Sequence, residues 1–258
     1  MDNGHFFKDV TLLVTHYNRS NSLERLLLAF RKLGIAFEAI VVSDDGSKPE
    51  HLKQLKEYET KYGITLVTTP KNKGLGNNIN KGQDAVKTLF TLYVQEDFDP
   101  FPIFATKFSE ALALFRKDES LDIIRFYAYF KYPYLKPVAH GFSEMQFSIL
   151  SPGYKKFYQY SDHPHLRRTN FLQKFGRYTE GVKGDVTEYN MMMSFLQHKG
   201  KGLFYEDFKG LFDQINTSDE PSTMKRNFWR ESDNPAVWFA RQLYRYYKMN
   251  RDYLFKRF

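Results

Sequence analysis

The chain has 258 residues, a formal net charge of +8, a pI near 9.3 and no cysteine. That length is enough for one large α/β domain, alone or with a small appendage, and for a substantial core. The missing cysteine excludes disulfides, thiolate metal sites and a cysteine nucleophile. The positive balance points to an anionic partner, whether nucleotide phosphates, nucleic acid or a membrane face, and its sign alone does not choose among them.

The opening MDNGHFFKD lacks the apolar stretch of a signal peptide, and no segment offers the ~18 uncharged apolar residues of a membrane span. A soluble or peripheral protein is the expectation. From the start of the chain, β-branched residues predict a strand over Val10 to Thr15. A helix follows, capped at Asn21 or Ser22, with Leu23, Leu26, Leu27 and Phe30 on one face and Gly34 closing it. Phe37 to Ser47, FEAIVVSDDGS, is an apolar run that ends in two carboxylates and a glycine, the pattern of a buried parallel strand.

A second helix opens at Ser47-Lys48-Pro49-Glu50, with the proline suited to the first turn, and ends at Lys61-Tyr62-Gly63. Ile64 to Thr68 reads as a strand, Pro70 to Gly76 as a basic glycine-containing loop, and Asn77 to Lys87 as a helix. Leu89 to Val94 is a further strand that runs into Gln95-Glu96-Asp97-Phe98-Asp99. A helix over Pro102 to Arg116 and a strand over Leu121 to Tyr127 complete a βα alternation, which argues for a parallel sheet.

From Tyr127 to Tyr160 the Pro- and Gly-punctuated aromatic sequence favours short antiparallel strands and loops. Helical character returns over Asp185 to Gly200 and again over Pro235 to Phe258. Aromatics are 17% of the chain and gather in its second half, as cores, interfaces and stacking surfaces all require.

Two strands that end in acids deliver them to the edge of an open α/β sheet where ligands bind. The first strand-to-helix turn, Thr15-His16-Tyr17-Asn18-Arg19-Ser20, has no glycine, and no Walker A lysine loop is present, so the common dinucleotide and P-loop folds are disfavoured. Adjacent Asp and Glu with open positions suit a hard cation, Mg²⁺ or Mn²⁺, that also binds substrate phosphates. Together with the basic loop, they imply a nucleoside diphosphate.

These residues resemble family 2 inverting glycosyltransferases of the GT-A fold. The resemblance covers most of the first 130 residues and extends more loosely to about Gly200. VTLLVTHYN over Val10 to Asn18 is similar to the family's opening strand and Tyr-Asn turn, and VVSDDGS to its most recognisable signature. Asn72-Lys73-Gly74 and Asn80-Lys81-Gly82 resemble its Asn-x-Gly pair, and Glu96-Asp97 falls where its DxD-type metal motif sits.

The resemblance implies that Thr15, Tyr17 and Asn18 border the nucleotide, that Asp44 and Asp45 bond its base or ribose, and that Lys73 and Glu96 attend the ribose and diphosphate. Asp97, with Asp99, would hold Mn²⁺ or Mg²⁺. Thr187-Glu188-Tyr189 resembles the family's Glu-Asp element, with Tyr189 in place of the aspartate. This makes Glu188 the expected general base and Asp185 its alternative. Ile79 stands where many relatives carry arginine, and Gln214 where they often have histidine.

The implied chain is a GT-A domain with a nucleotide-sugar-binding half (1–130), an acceptor-binding half (131–220) and a basic aromatic helical tail (221–258). Implied too is a metal-dependent inverting transferase that moves a sugar, UDP-linked, to a glycan or lipid-linked acceptor in bacterial surface polysaccharide assembly. Its expected place is the cytoplasm, at the inner face of the membrane. The rings and cations interleaved from Val237 to Phe258 suit an amphipathic helix in contact with that membrane, with packing on the domain or in a dimer as the alternative. Rival readings are a nucleotidyltransferase on a similar sheet and a non-catalytic nucleotide- or nucleic-acid-binding protein. Acids at the ligand edge weigh against a nucleic-acid partner.

Overall fold

The computed structural model describes residues 4–220 and 234–258. The expected alternation is present as β1 (His5–His16), α1 (Ser20–Lys32), β2 (Ile35–Asp44), α2 (Pro49–Tyr62), β3 (Ile64–Val67), α3 (Leu75–Ala85) and β4 (Phe90–Gln95). Next come β5 (Phe98–Pro100), α4 (Phe104–Lys117) and β6 (Ile123–Arg125). The second half adds β7 (Leu135–Ala139), β8 (Phe142–Met145), β9 (His165–Arg168), α5 (Phe171–Phe175), α6 (Gly184–Gln197), β10 (Gly202–Tyr205), β11 (Phe212–Gln214) and the long α7 (Pro235–Phe255).

Nine strands form one sheet in the order β3-β2-β1-β4-β9-β6-β10-β8-β7, and β11 pairs with β5 in a separate ribbon. The run β3-β2-β1-β4 is parallel, as the buried apolar strands predict. β9 then enters antiparallel between β4 and β6, so its first residues lie at the carboxyl ends of both neighbours. Strand alternation sends Leu12 and Val14 to the α1 and α4 side, with Phe30, Phe104 and Phe108, and Leu13 to the α3 and α6 side, with Ile79, Tyr93 and Met193. Ile79, the position at which the resemblance leads to an expectation of arginine, is fully buried core.

The first strand is longer than its β-branched run and begins at His5, while the strand expected over Leu121 to Tyr127 shortens to three residues. The cap expected from Asn21 or Ser22 is supplied by a distant residue. Both Glu220 carboxylate oxygens accept from the amides of Asn21 and Ser22, a contact no local pattern could reveal. Among the described residues no helix is long and apolar enough to cross a membrane. Of the expected tail, residues 221–233 lie outside the described residues.

Candidate active site

β1 and β2 end side by side, with His16 opposite Asp44 in the register. His16 Nδ1 lies 2.9 Å from Asp44 Oδ1, both side chains are fully buried, and His16 Nε2 accepts the Arg19 amide at 3.2 Å. Burial lowers the His16 pKa against the pull of Asp44, so the pair is a neutral imidazole donating to a carboxylate. Burial pushes the Asp44 carboxyl up, but hydrogen bonds from His16, Ser47 and Thr68 outweigh it and hold the group well below the usual range.

Asp44 Oδ2 also accepts the amides of Gly46 and Ser47 and the Thr68 hydroxyl. Asp44 therefore organises its own turn and has no exposed surface of its own to offer a ligand. Gly46 adopts φ +69°, and a Cβ there would stand 2.4 Å from the Lys71 carbonyl carbon, so only glycine lets the turn close onto the basic loop. Asp45 completes that closure by accepting the Lys73 amide (2.8 Å) and the Gly74 amide (2.9 Å). Asn18, at φ 53°, ties the first turn to the second through the Ser47 hydroxyl and the Lys48 amide.

At the end of β4, Glu96 and Asp97 are nearly buried and face Arg19, whose Nη1 lies 3.7 Å from Glu96 and 3.3 Å from Asp97. Burial and the Asp97 charge push the Glu96 carboxyl up to about 8, with Arg19 opposing. Gln214 Nε2 donates to Asp97 Oδ2 at 3.1 Å, while Asp97 Oδ1 is buried without a hydrogen-bond partner. Arg19 also donates to Asn216 Oδ1 and the Glu220 carbonyl, which straps residues 215–220 across the start of α1. Asp99 is engaged by Arg25, whose Nε sits 3.1 and 3.0 Å from its two oxygens.

A second acidic centre forms where β9 begins. Asp162 is 6% exposed, shares a side-chain hydrogen bond with Glu188 and donates its amide to the same carboxylate. Burial raises both carboxyls, while hydrogen bonds from Asp162 and the charge of Arg125 pull Glu188 back toward its ordinary range. Arg125 lies buried at the end of β6 and bonds the Ser161 hydroxyl. The two centres are joined: Asp97 meets Gln214, Gln214 Oε1 accepts from Tyr129, and the Tyr129 ring stacks edge-on at 4.5 Å against His163, which contacts Ser161.

A family model described as "Glycosyl transferase family 2" matches residues 11–176, more than half of the chain. The chain is a family 2 glycosyltransferase. Curated proteins yield no match. Among solved structures, the transferase resembles S. aureus TarS 1-349 in complex with UDP-GlcNAc, at 17% identity and TM-score 0.62, over 94% of this chain and 74% of that one. It also resembles GalNAc-T7 with UDP, GalNAc and Mn²⁺, at 15% identity and TM-score 0.56, over 80% of this chain and 43% of that one. These are GT-A glycosyltransferases, and the nine-stranded arrangement is that fold.

Of the residues singled out from the sequence, Asp44, Asp45, Glu96 and Asp97 gather on one strand edge. Thr15 is buried and its hydroxyl is 3.0 Å from the Tyr93 hydroxyl, while Tyr17 and Asn18 are half-buried beside the turn. The Lys73 side chain is exposed on the loop that Asp45 grips by its backbone. Glu188 reaches the Asp162–Arg125 centre, and Asp185 stays in the first turn of α6. His16, Arg19, Arg125 and Asp162 were not singled out. His16 was legible as the residue opposite Asp44 at a parallel strand end. Asp162 was not, because an antiparallel insertion places it and its own segment reads as loop.

Proposed function

We propose that the transferase moves a sugar from a UDP-linked donor to a hydroxyl of a glycan or lipid-linked acceptor, with inversion, in the assembly of a bacterial surface polysaccharide. What carries this is the gathering of Asp45, Glu96 and Asp97 at one edge of a family 2 sheet, with the Glu188–Asp162 centre joined to Asp97 through Gln214, Tyr129 and His163. The UDP-bearing complexes of TarS and GalNAc-T7 support the choice of nucleotide.

A divalent cation, Mn²⁺ or Mg²⁺, fits the Asp97 side of this edge. Asp97 Oδ1 is buried and unpartnered, and Glu96 stands beside it. Among the described residues no cluster of three His, Cys, Asp or Glu could hold an ion unaided, so donor phosphates and water would supply the remaining ligands. When bound, the cation neutralises charge on the departing diphosphate. Asp99 contributes only if Arg25 releases it.

The chain's own residues do the rest. Asp45 fixes the loop through Gly74, and that loop with Tyr17 borders the nucleotide. Ionised Glu188 takes the proton of the acceptor hydroxyl as its oxygen attacks the anomeric carbon. The bond from that carbon to the diphosphate oxygen breaks, and the diphosphate keeps the electron pair. Asp162 and Arg125 orient Glu188 and hold its charge.

Calorimetric titration of the full chain with UDP, GDP and TDP, each with and without Mn²⁺, tests the donor site. Metal-enhanced binding of UDP that is lost in Asp97→Ala supports it. Absence of binding to every nucleotide overturns it.

A further inference from the structure

The long helix α7 is turned inside out. Its inward face carries Met249 and the fully buried Asp252, with Tyr253 packed 5.1 Å from Phe147 and 6.1 Å from Phe157. Asp252 accepts from Tyr189 (2.8 Å), Lys248 (2.8 Å) and Arg251 (2.8 Å), so the residue that replaces the family's aspartate serves to dock this helix. The opposite face is apolar and open to solvent. Phe239, Leu243 and Tyr247 recur every four residues in one stripe, continued by Leu254, and each is more than half exposed. A surface helix of a globular domain shows the reverse, with its apolar stripe inward.

Charge identifies the occupant. Over residues 234–258 there are six cationic side chains, Arg241, Arg245, Lys248, Arg251, Lys256 and Arg257, against one acid, Asp252, so this segment carries five of the chain's eight net positive charges. A second copy of the chain would bring two such segments together, like charge against like. Arg245 bonds the Tyr154 hydroxyl, and Lys248, Arg251 and Lys256 all share the single charge of Asp252, so the segment keeps a positive excess that an uncharged protein groove would not balance. An anionic lipid surface answers both features, taking rings and aliphatic side chains at the headgroup boundary and cations against its phosphates.

We propose that α7 lays its outward face on an anionic membrane surface, with Phe239, Leu243, Tyr247 and Leu254 in the interface and Lys256 and Arg257 at the headgroups. At 21 residues the helix offers about 30 Å of contact. The inference stands apart from the donor site and is tested without any nucleotide.

The full chain is floated with phosphatidylcholine vesicles and with vesicles that also contain phosphatidylglycerol. Wild type should float only with the anionic vesicles, and less so as salt rises. Leu243→Glu combined with Tyr247→Glu should lower partitioning by roughly tenfold or more, with the urea midpoint unchanged because both positions are exposed. Lys256→Gln combined with Arg257→Gln leaves the apolar stripe intact and should still lower partitioning by roughly tenfold, which keeps the test decisive should the first variant misfold. Wild type that fails to float overturns the proposal, as does flotation undiminished in both variants. A doubled mass by light scattering, lost in the glutamate variant, would give the face to a second copy and also overturn it.

Discussion

Gly46→Ala separates two costs that the DDG turn combines, and Gly63→Ala is its internal control. Both glycines occupy the left-handed region, at φ +69° and +67°. A Cβ at Gly63 would meet nothing within 4 Å, so alanine there carries only the left-handed backbone cost of about 1 kcal/mol. A Cβ at Gly46 would meet the Lys71 carbonyl carbon at 2.4 Å, Lys71 Cα at 2.7 Å and the Asn72 amide nitrogen at 2.8 Å. These are backbone atoms that no rotamer change can clear, and ordinary carbon contacts lie near 3.5–4.0 Å, so the loop must retreat by about 1 Å.

Such overpacking adds roughly 1–3 kcal/mol, for a total of about 2–4 kcal/mol. The retreat also pulls the Lys73 and Gly74 amides from Asp45. Urea unfolding should therefore show Gly46→Ala destabilised more than Gly63→Ala by at least about 1 kcal/mol, and nucleotide affinity should fall in Gly46→Ala alone. Equal destabilisation, or loss of affinity in both variants, would refute the turn-on-loop account.

Three further outcomes are expected. Glu188→Gln should retain donor binding by calorimetry while its transfer rate drops by about 10²–10⁴, the usual worth of a positioned base. The rate of wild type should rise with pH as Glu188, its carboxyl raised by burial, gives up its proton. Asp162→Ala removes a hydrogen bond to the ionised form and should move that limb to higher pH, whereas Asp162→Asn, still a donor, should leave it nearly in place. Ile79→Arg, which restores the arginine of many relatives, puts an unpaired charge in a fully buried site and should cost more than about 3 kcal/mol in urea titration, with no gain in nucleotide affinity.

The first half of the fold was legible because parallel strands buried on both faces read as continuous apolar runs, and Asp44-Asp45-Gly46 and Glu96-Asp97 mark where those runs stop. The glycines of the motifs also have local reasons. Gly82 lets α3 rest on Leu13 and Ser43, and Gly76 clears the Thr179 carbonyl. What escaped was set by contacts far apart in sequence. Glu220 caps α1, Arg19 bridges Asp97 to residues 216–220, and Asp162 arrives through an antiparallel strand wedged between β4 and β6. Likewise α7 reads as a basic amphipathic helix, but which of its faces is docked depends on Asp252 meeting Tyr189.

The most direct test of the account is the release of nucleoside diphosphate from UDP-sugars by the full chain with Mn²⁺ or Mg²⁺, followed with water or an added glycan as acceptor. The account predicts release from a UDP-sugar that stops on chelation and in Asp97→Ala, and that Glu188→Gln binds the donor without turning it over. Release of pyrophosphate in place of UDP, or turnover that survives in both variants, would contradict it.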